Sequence, residues 1–240
     1  MVNKNSPLPI YYQIEEEIKR QIDSGELSPG EMLPSEREFA EKYAISRMTV
    51  RQAITNLVNE GLLVRQKGRG TFVQRKKIEQ ELKGLTSFSE QMRSRGMEPS
   101  TKLIEFNVVQ ASERVARALQ VNIGSEVYEL KRLRLADQMP MALETAYLVQ
   151  ENFPYLNKEV AKGSLYEYVE NTIGVSIDYA TQTVDASIAN KFEADALEIS
   201  EGDPVLVIHR LAYLSNEKPM EFVKTIYRAD RYTFSVDVKR

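Results

Sequence analysis

Apolar residues in the first sixty positions recur at the spacing of helices. Residues 9–24 have apolar side chains three and four positions apart, which predicts a helix that ends before Gly25. Residues 46–60 contain a longer stripe, formed by Val50, Ala53, Ile54, Leu57 and Val58. Arg47 and Arg51 lie four residues apart on another face of that helix. The pattern predicts a buried helix whose exposed arginines either face solvent or suit the major groove of DNA.

A second helix precedes the arginine-bearing one. Ser35 and Glu38 form the S-x-x-E pattern of a capping box, which predicts a helix beginning there. Only residues 44–46 separate it from the next helix, and so short a connection is typical of a helix-turn-helix. Two strand-like runs follow and enclose the glycine-rich loop 66–70. The N-terminal part is therefore predicted to be a winged helix-turn-helix.

Hydrophobic positions beyond residue 84 follow the alternation of strands more often than the spacing of helices. The strand-like segments are 101–109, 127–135, 141–149, 178–189, 204–214, 220–228 and 232–238. Helical segments are shorter and begin near Ser87, 112, Ser164 and 191. Hairpins outnumber helices, so the pattern predicts an antiparallel sheet with helices to one side, in the α+β class.

Charge is distributed unevenly over the 240 residues. The formal net charge is −3, yet residues 1–77 contain 13 Lys and Arg against 10 Asp and Glu, and residues 47–77 contain 8 against one. The local field around the predicted recognition helix and wing is therefore positive, as a polyanion requires. Cysteine is absent, which excludes disulfides and thiolate metal sites. No signal peptide or membrane span is recognisable, so a cytoplasmic location is expected.

The N-terminal motifs resemble a known family. P-S-E-R-E at 34–38, S-R-M-T-V-R-Q-A at 46–53 and K-G-R-G-T-F-V at 67–73 look like the DNA-binding domain of GntR-family bacterial transcription regulators. The resemblance implies operator contacts from the recognition helix and its surroundings, by Arg37, Ser46, Arg47, Thr49, Arg51 and Gln52. It implies that the wing contributes Lys67, Gly68, Arg69 and Gly70.

The C-terminal motifs resemble the UTRA effector-binding domain, which has a chorismate-lyase-like fold. They include G-L-T-S-F-S-E-Q-M-R-S-R-G at 84–96, P-M-A-L-E at 140–144 and M-E-F-V-K-T-I-Y-R-A-D-R-Y-T-F at 220–234. Both halves together are similar to the HutC subfamily. The expected organisation is a winged helix-turn-helix domain over 1–75, a polar linker over 76–83 and a UTRA domain over 84–240.

Several polar residues of the second half are predicted to share one sheet face. Strand alternation places Arg132 and Arg134 together, and Glu221 and Tyr227 share a face of a later strand. Glu144 lies between two alanines on the neighbouring strand. Helices beginning near Ser87 and Ser164 add partial positive charge. These residues either hold a small anion or form an internal ion network. The resemblance implies an effector pocket that includes Tyr166, and so favours the anion. Phe88 and Ser89 are further candidates for the lining of that pocket.

The resemblance extends to regulators of N-acetylglucosamine utilisation, so the expected effector is an amino-sugar 6-phosphate such as GlcNAc-6-P or GlcN-6-P. In that case the arginines and Ser164 would hold the phosphate, and Glu144, Glu221 and Tyr227 the sugar. Another phosphosugar, a urocanate-like acid and a fatty acid remain alternatives. A homodimer on a palindromic operator is expected, because one recognition helix contacts only a few base pairs.

Other function classes have less support in the sequence. No metal-ligand cluster, phosphate loop or nucleophile-base pair is recognisable, and the single histidine, His209, lies in an apolar strand-like run. The expectation is therefore no enzyme, no cofactor and no metal. A lyase-like enzyme and a nucleoid-type DNA binder without an effector remain the alternatives.

Overall fold

The chain folds as two units, Met1–Lys77 and Ile78–Arg240, in a computed structural model that describes residues 6–66, 68–74 and 77–239. The first unit contains three helices and a hairpin: α1 Ile10–Asp23, α2 Glu36–Tyr43, α3 Arg47–Asn59, β1 Leu63–Gln66 and β2 Gly70–Val73. Among the helices of the described residues, none has the length and hydrophobicity needed to cross a bilayer.

The predicted apolar stripes form the core of the first unit. Ile14 and Ile18 of α1 pack against the stripe of α3, and all of these side chains are buried apart from the half-buried Val58. The Ser35–Glu38 capping box starts α2, and the Ser46 hydroxyl caps α3 by accepting the Thr49 amide at 3.1 Å. β1 and β2 pair antiparallel. The predicted winged helix-turn-helix is confirmed.

The second unit contains a long sheet and several short helices. In chain order its elements are β3 Ile78–Glu81, α4 Phe88–Ser94, β4 Pro99–Gln110, α5 Glu113–Leu119, β5 Glu126–Ala136, β6 Met139–Val149, α6 Lys158–Ala161, α7 Leu165–Tyr168, β7 Ile177–Ile188, α8 Lys191–Leu197, β8 Pro204–Leu214, β9 Pro219–Arg228 and β10 Tyr232–Ser235. A 3-10 turn, Gln150–Asn152, follows β6, and a π-helical turn, Val169–Ile173, extends α7.

Six of these strands form one antiparallel sheet in the order β4-β5-β6-β9-β8-β7. The predicted hairpin between β5 and β6 has a two-residue connection, Asp137 and Gln138, with φ of 49° and 61°. Positive φ at both positions matches the twist of the flanking strands. The central strands are buried on both faces, because helices pack on each side.

The expectation of helices on one side of the sheet is wrong. α4 and α7 lie over one face with the apolar clusters around Tyr227 and Leu165. α5 and α8 pack on the opposite face, where Val115 and Leu197 meet the alternate residues of the same strands. Hydrophobic alternation did not reveal this arrangement, because the apolar residues beneath α5 and those beneath α8 form two separate clusters on this face of the sheet. On β5, the polar residues Glu129 and Lys131 lie between the two clusters.

The expected linker over 76–83 is also wrong in its centre. Ile78–Glu81 forms β3 and pairs in parallel with β10, Tyr232–Ser235. Ile78 is buried beside Tyr232. The segment therefore belongs to the second unit, and its polar composition concealed a strand whose partner lies near the other end of the chain.

Candidate functional site

Neighbouring strands of the sheet turn one polar face toward α4 and α7. Arg132, Glu144, Thr225 and Ile208 are register partners across β5, β6, β9 and β8, so their side chains share a row. The cavity above this row has a volume of about 40 Å³. Its lining is Ser87, Phe88, Gln91, Arg132, Arg134, Glu144, Ser164, Leu165, Tyr166, Ile208, Arg210, Glu221, Val223, Thr225 and Tyr227.

Each of the three guanidinium nitrogens of Arg132 donates to the protein. Its Nε donates to Glu144 Oε1 at 2.8 Å, and its Nη2 donates to the same oxygen. Its Nη1 donates to the carbonyls of Ala161 and Gly163, at 3.2 and 3.4 Å. These carbonyls belong to the last residue of α6 and to the turn that follows it, so Arg132 ties the end of α6 to the sheet. Burial alone would raise the pKa of Glu144, but Arg132 and then Arg134 hold it below its ordinary value.

Arg134 is buried to the same degree but has few partners. It is 3% exposed, its Nη2 donates to Ser89 Oγ at 3.2 Å, and its guanidinium lies 4.8 Å from the centre of the Phe88 ring. Within the described part of the chain its Nε has no hydrogen-bond partner and no carboxylate forms an ion pair with it. Burial, followed by the charge of Arg132, lowers the pKa of Arg134 to about 10. A buried cation with unused donors is suited to an anionic ligand.

A second group of polar side chains lies along β8 and β9. Burial, with the nearby Glu144 charge, raises the pKa of Glu221 to about 7. Arg210 donates to Gln182 through Nε and Nη2, at 3.3 and 3.1 Å, and faces Tyr166 and Glu221. Burial also raises the pKa of Tyr166, which keeps its hydroxyl protonated. This side of the cavity can both donate and accept hydrogen bonds.

The structure brings together nine of the ten residues predicted from the sequence around the cavity. They are Ser87, Phe88, Arg132, Arg134, Glu144, Ser164, Tyr166, Glu221 and Tyr227. Ser89 is buried and contacts Arg134 without lining the cavity. Arg210, Gln91 and Thr225 line it and were not predicted. Arg210 could be recognised only from the register of β8 against β9, which the sequence alone does not supply.

The alternative of an internal ion network describes only part of this site. Arg132 and Glu144 form such a pair, whereas among the described residues Arg134 and Glu221 form none. The hydroxyls of Ser87 and Ser164 accept the amides of Glu90 and Glu167, at 3.2 and 3.3 Å, and so cap their helices. α4 and α7 have only seven and four residues, so their dipoles add little to the arginines.

The single histidine of the chain lies away from this cavity. His209 lies on the opposite face of the sheet, where Nη2 of Arg114 is 3.1 Å from its Nδ1. Burial, then Arg114, lowers the pKa of His209. Across the residues that the structure describes, no group of three His, Cys, Asp or Glu side chains is arranged to hold a metal.

The predicted DNA-binding residues lie on the surface of the first unit. Arg37, Arg47 and Arg69 line an open groove of about 650 Å³ between the beginnings of α2 and α3 and the wing. Arg51 and Gln52 are exposed on the next turn of α3, and Thr49 is half-buried. Arg37 forms an exposed pair with Glu41 at 3.3 Å. The stripe of α3 is buried while its arginines are not, as a recognition helix requires.

The wing carries its candidate residues at the hairpin tip. Gly68 and Gly70 have φ of +74° and +127°, and a Cβ on Gly70 would lie 3.3 Å from Met32 Sδ. The Arg69 guanidinium lies 5.9 Å from the centre of the Phe72 ring. Lys67 lies outside the described residues. The tip therefore presents positive charge on a backbone that favours glycine.

Comparison with known families accounts for both units. Residues 10–73 match the bacterial regulatory proteins of the gntR family, and residues 94–233 match the UTRA domain. The chain belongs to the GntR family of bacterial regulatory proteins. It combines a GntR DNA-binding domain with a UTRA domain, which confirms the predicted HutC-type pairing and fold class.

Related proteins carry both domains over nearly their whole length. The chain is 49% identical to the HTH-type transcriptional repressor NagR of Bacillus subtilis, covering 97% of this chain and 96% of NagR. It is 31% identical to the mannosyl-D-glycerate transport/metabolism system repressor MngR of Escherichia coli, covering 97% of each. The crystal structure of PhnF from Mycobacterium smegmatis superimposes with a TM-score of 0.67 at 30% identity, over 94% of this chain and 99% of PhnF. The chain is thus a DNA-binding transcription regulator.

Proposed function

We propose that the chain is a repressor that binds a palindromic operator as a homodimer and releases it when an amino-sugar 6-phosphate occupies the UTRA cavity. The buried, incompletely paired guanidinium of Arg134 is the observation that carries the effector class. NagR and MngR are both named repressors, which supports the direction of control. Since its target is chromosomal DNA, the protein acts in the bacterial cytoplasm.

The operator side of the proposal assigns distinct roles to the exposed arginines. Arg47 and Arg51 lie at the beginning of α3, the part of a recognition helix that contacts base edges. Arg37 and the wing residue Arg69 flank them along the groove and suit phosphate contacts. One such helix contacts only a few base pairs, so a second copy is needed for a selective site.

The cavity chemistry supports a polar anion that also carries hydroxyl or amide groups. Arg134 offers free donors to an anion, while Glu144 and Glu221 accept hydrogen bonds from hydroxyl or amide groups. Arginines and carboxylates in one small cavity are a poor environment for the chain of a fatty acid. A phosphosugar satisfies both ends of the site, and the resemblance to regulators of N-acetylglucosamine utilisation favours an amino sugar.

Effector binding requires this cavity to expand. A volume of about 40 Å³ accommodates roughly three water molecules, whereas cavities for small ligands span about 300–1,000 Å³. We therefore include in the proposal an expanded arrangement of the cavity that binds the effector. The effector stabilises an expanded arrangement and shifts the protein toward it only through its higher affinity for that arrangement.

A thermal-shift titration tests the effector class. We expect GlcNAc-6-P or GlcN-6-P to raise the melting temperature at concentrations where GlcNAc, glucose 6-phosphate and inorganic phosphate have smaller effects. An equal shift with inorganic phosphate would show that the sugar is not recognised. A response to none of these compounds would refute the amino-sugar assignment.

Selection from a random duplex library tests the operator side. We expect the enriched sequences to contain two inverted half-sites, and the effector identified by thermal shift to weaken their binding. Sedimentation of the complex should show two chains per duplex. Enrichment of unpaired half-sites, or no enrichment, would contradict the proposal. Turnover of chorismate by the purified chain would support the lyase alternative, and we expect none.

A further inference from the structure

Glu36 places a carboxylate in the groove where a DNA-binding surface would be expected to avoid one. It is the first residue of α2 and lines the groove together with Arg37, Arg47 and Arg69. Phosphate groups repel a carboxylate in that position, so the residue weakens sequence-independent binding. Its side chain is 20% exposed, and its partners are arginines of α3 and β1.

The Glu36 carboxylate joins three elements of the first unit. Its Oε2 accepts from both Nε and Nη2 of Arg51, at 2.9 and 2.8 Å. Its Oε1 lies 3.4 Å from Nη2 of Arg65, which also donates to Thr55 Oγ1 at 3.0 Å. Thr55 Oγ1 in turn donates to the Arg51 carbonyl at 2.7 Å. The network therefore begins at the Arg51 guanidinium and ends at the backbone of the same residue.

This contact uses one edge of the Arg51 guanidinium and leaves the other edge open. The edge formed by Nε and Nη2 faces Glu36, whereas Nη1 and the second hydrogen of Nη2 point away from it. Two parallel donors are what guanine O6 and N7 require. The side chain of Arg51 is half exposed, and such exposed ion pairs add little to folding stability. The Glu36 carboxylate is therefore better explained by its orienting of Arg51 than by a contribution to folding stability.

We propose that Glu36 is a positioning residue that holds Arg51 with its outer edge toward the bases, and so exchanges phosphate affinity for sequence specificity. This inference rests on the proposed DNA-binding face. A side chain fixed before binding loses less freedom when the complex forms. Glu36 thus favours the correct base over others without touching DNA.

The test compares Glu36→Gln with Glu60→Gln in the full chain. Both variants remove one negative charge from the first unit, and Glu60 is paired with Lys19 at 2.8 Å at the opposite end of α3. Binding is measured by fluorescence anisotropy to a duplex selected from the random library and to an unrelated duplex. In Glu36→Gln, specificity, the ratio of the two affinities, should fall about tenfold, within the range for one bidentate base contact. Affinity for the unrelated duplex should rise, with a salt slope steeper by about one.

Arg51→Ala supplies the decisive background. If Glu36 acts through Arg51, Glu36→Gln should not reduce specificity further in the Arg51→Ala variant, and both losses should fall on the same base pair. Additive losses, or an unchanged ratio in Glu36→Gln with normal melting temperature, would overturn the inference. A wild-type chain that selects no duplex would instead refute the proposed function itself.

Discussion

Arg132 and Arg134 are adjacent on one face of β5, yet their replacement should have opposite effects. In Arg134→Met the cavity loses its incompletely paired cation. A hydrogen bond to a charged group contributes about 1.5–3 kcal/mol. Effector affinity should therefore fall by roughly 10- to 150-fold, at about 1.4 kcal/mol for each factor of ten.

The two substitutions should change the free energy of unfolding in different directions and by different amounts. Replacing a buried charge that has no carboxylate partner with an apolar side chain of similar volume is neutral or stabilising, by up to about 4 kcal/mol. Arg132→Met instead leaves Glu144 and the carbonyls of Ala161 and Gly163 without their donor. Breaking a buried pair costs about 3–5 kcal/mol, which lowers the melting temperature by roughly 6–20 °C for a unit of this size.

Differential scanning fluorimetry with and without GlcNAc-6-P measures both effects on the same samples. Arg134→Met should melt no lower than the wild type and should lose most of the effector shift. Arg132→Met should melt much lower. Destabilisation of Arg134→Met as strong as that of Arg132→Met, or a full effector shift in Arg134→Met, would refute these roles of the two arginines.

Three further changes should have separable consequences. Arg51→Ala should cost about 1–3 kcal/mol of base discrimination in mobility-shift assays, whereas Arg117→Ala, an exposed residue of α5, should cost none. Burial raises the pKa of Glu221 to about 7. Its bound proton therefore contributes fully to the free energy of unfolding at pH values below the pKa that Glu221 has in the unfolded chain, and this contribution is lost as the pH rises to about 7. Relative to Glu221→Gln, the melting temperature of the wild type should therefore fall over that range, and a constant difference would contradict this. Arg95→Ala should bind effector normally but release DNA less completely in anisotropy assays, because Arg95 joins α4 to β3 through the Glu79 carbonyl at 2.7 Å.

The first unit was predictable from local pattern. Its helices bury regular stripes, and α2 and α3 begin at side-chain caps, so Ser35, Glu38 and Ser46 mark the starts of these two helices directly in the sequence. The turn and wing then follow in order along the chain. The engagement of Arg51 by Glu36 was not predictable, because that contact joins two helices whose relative orientation is not a local property.

The second unit was only partly predictable from local sequence patterns. Alternation correctly placed Arg132, Arg134 and Glu144 on one face, since side-chain direction has a period of two. It could not distinguish the two arginines, because the carbonyls that occupy Arg132 belong to residues about thirty positions further along. Arg210 was missed for a related reason: its position over the cavity depends on strand register.

Contacts within the second unit connect the cavity to β3 through α4. Ser89 and Phe88 of α4 contact Arg134, and Arg95 at the end of the same helix binds the backbone of β3. β3 begins at Ile78, immediately after the first unit ends. In the proposed mechanism, an effector that takes the donors of Arg134 and expands the cavity displaces part of α4, and we expect Arg95 to transmit that displacement to β3.

Linkage makes this account quantitative. The effector can weaken operator binding only by the factor with which it prefers the expanded arrangement, and the operator must weaken effector binding by that same factor. Calorimetry gives the effector Kd for the operator complex and for the free protein. We therefore expect the ratio of these two values to equal the ratio of the operator Kd with and without saturating effector. Arg95→Ala should reduce both ratios together. Two ratios equal to one would mean that the cavity and the DNA-binding face are not coupled, and ratios left unchanged by Arg95→Ala would rule out the route through β3.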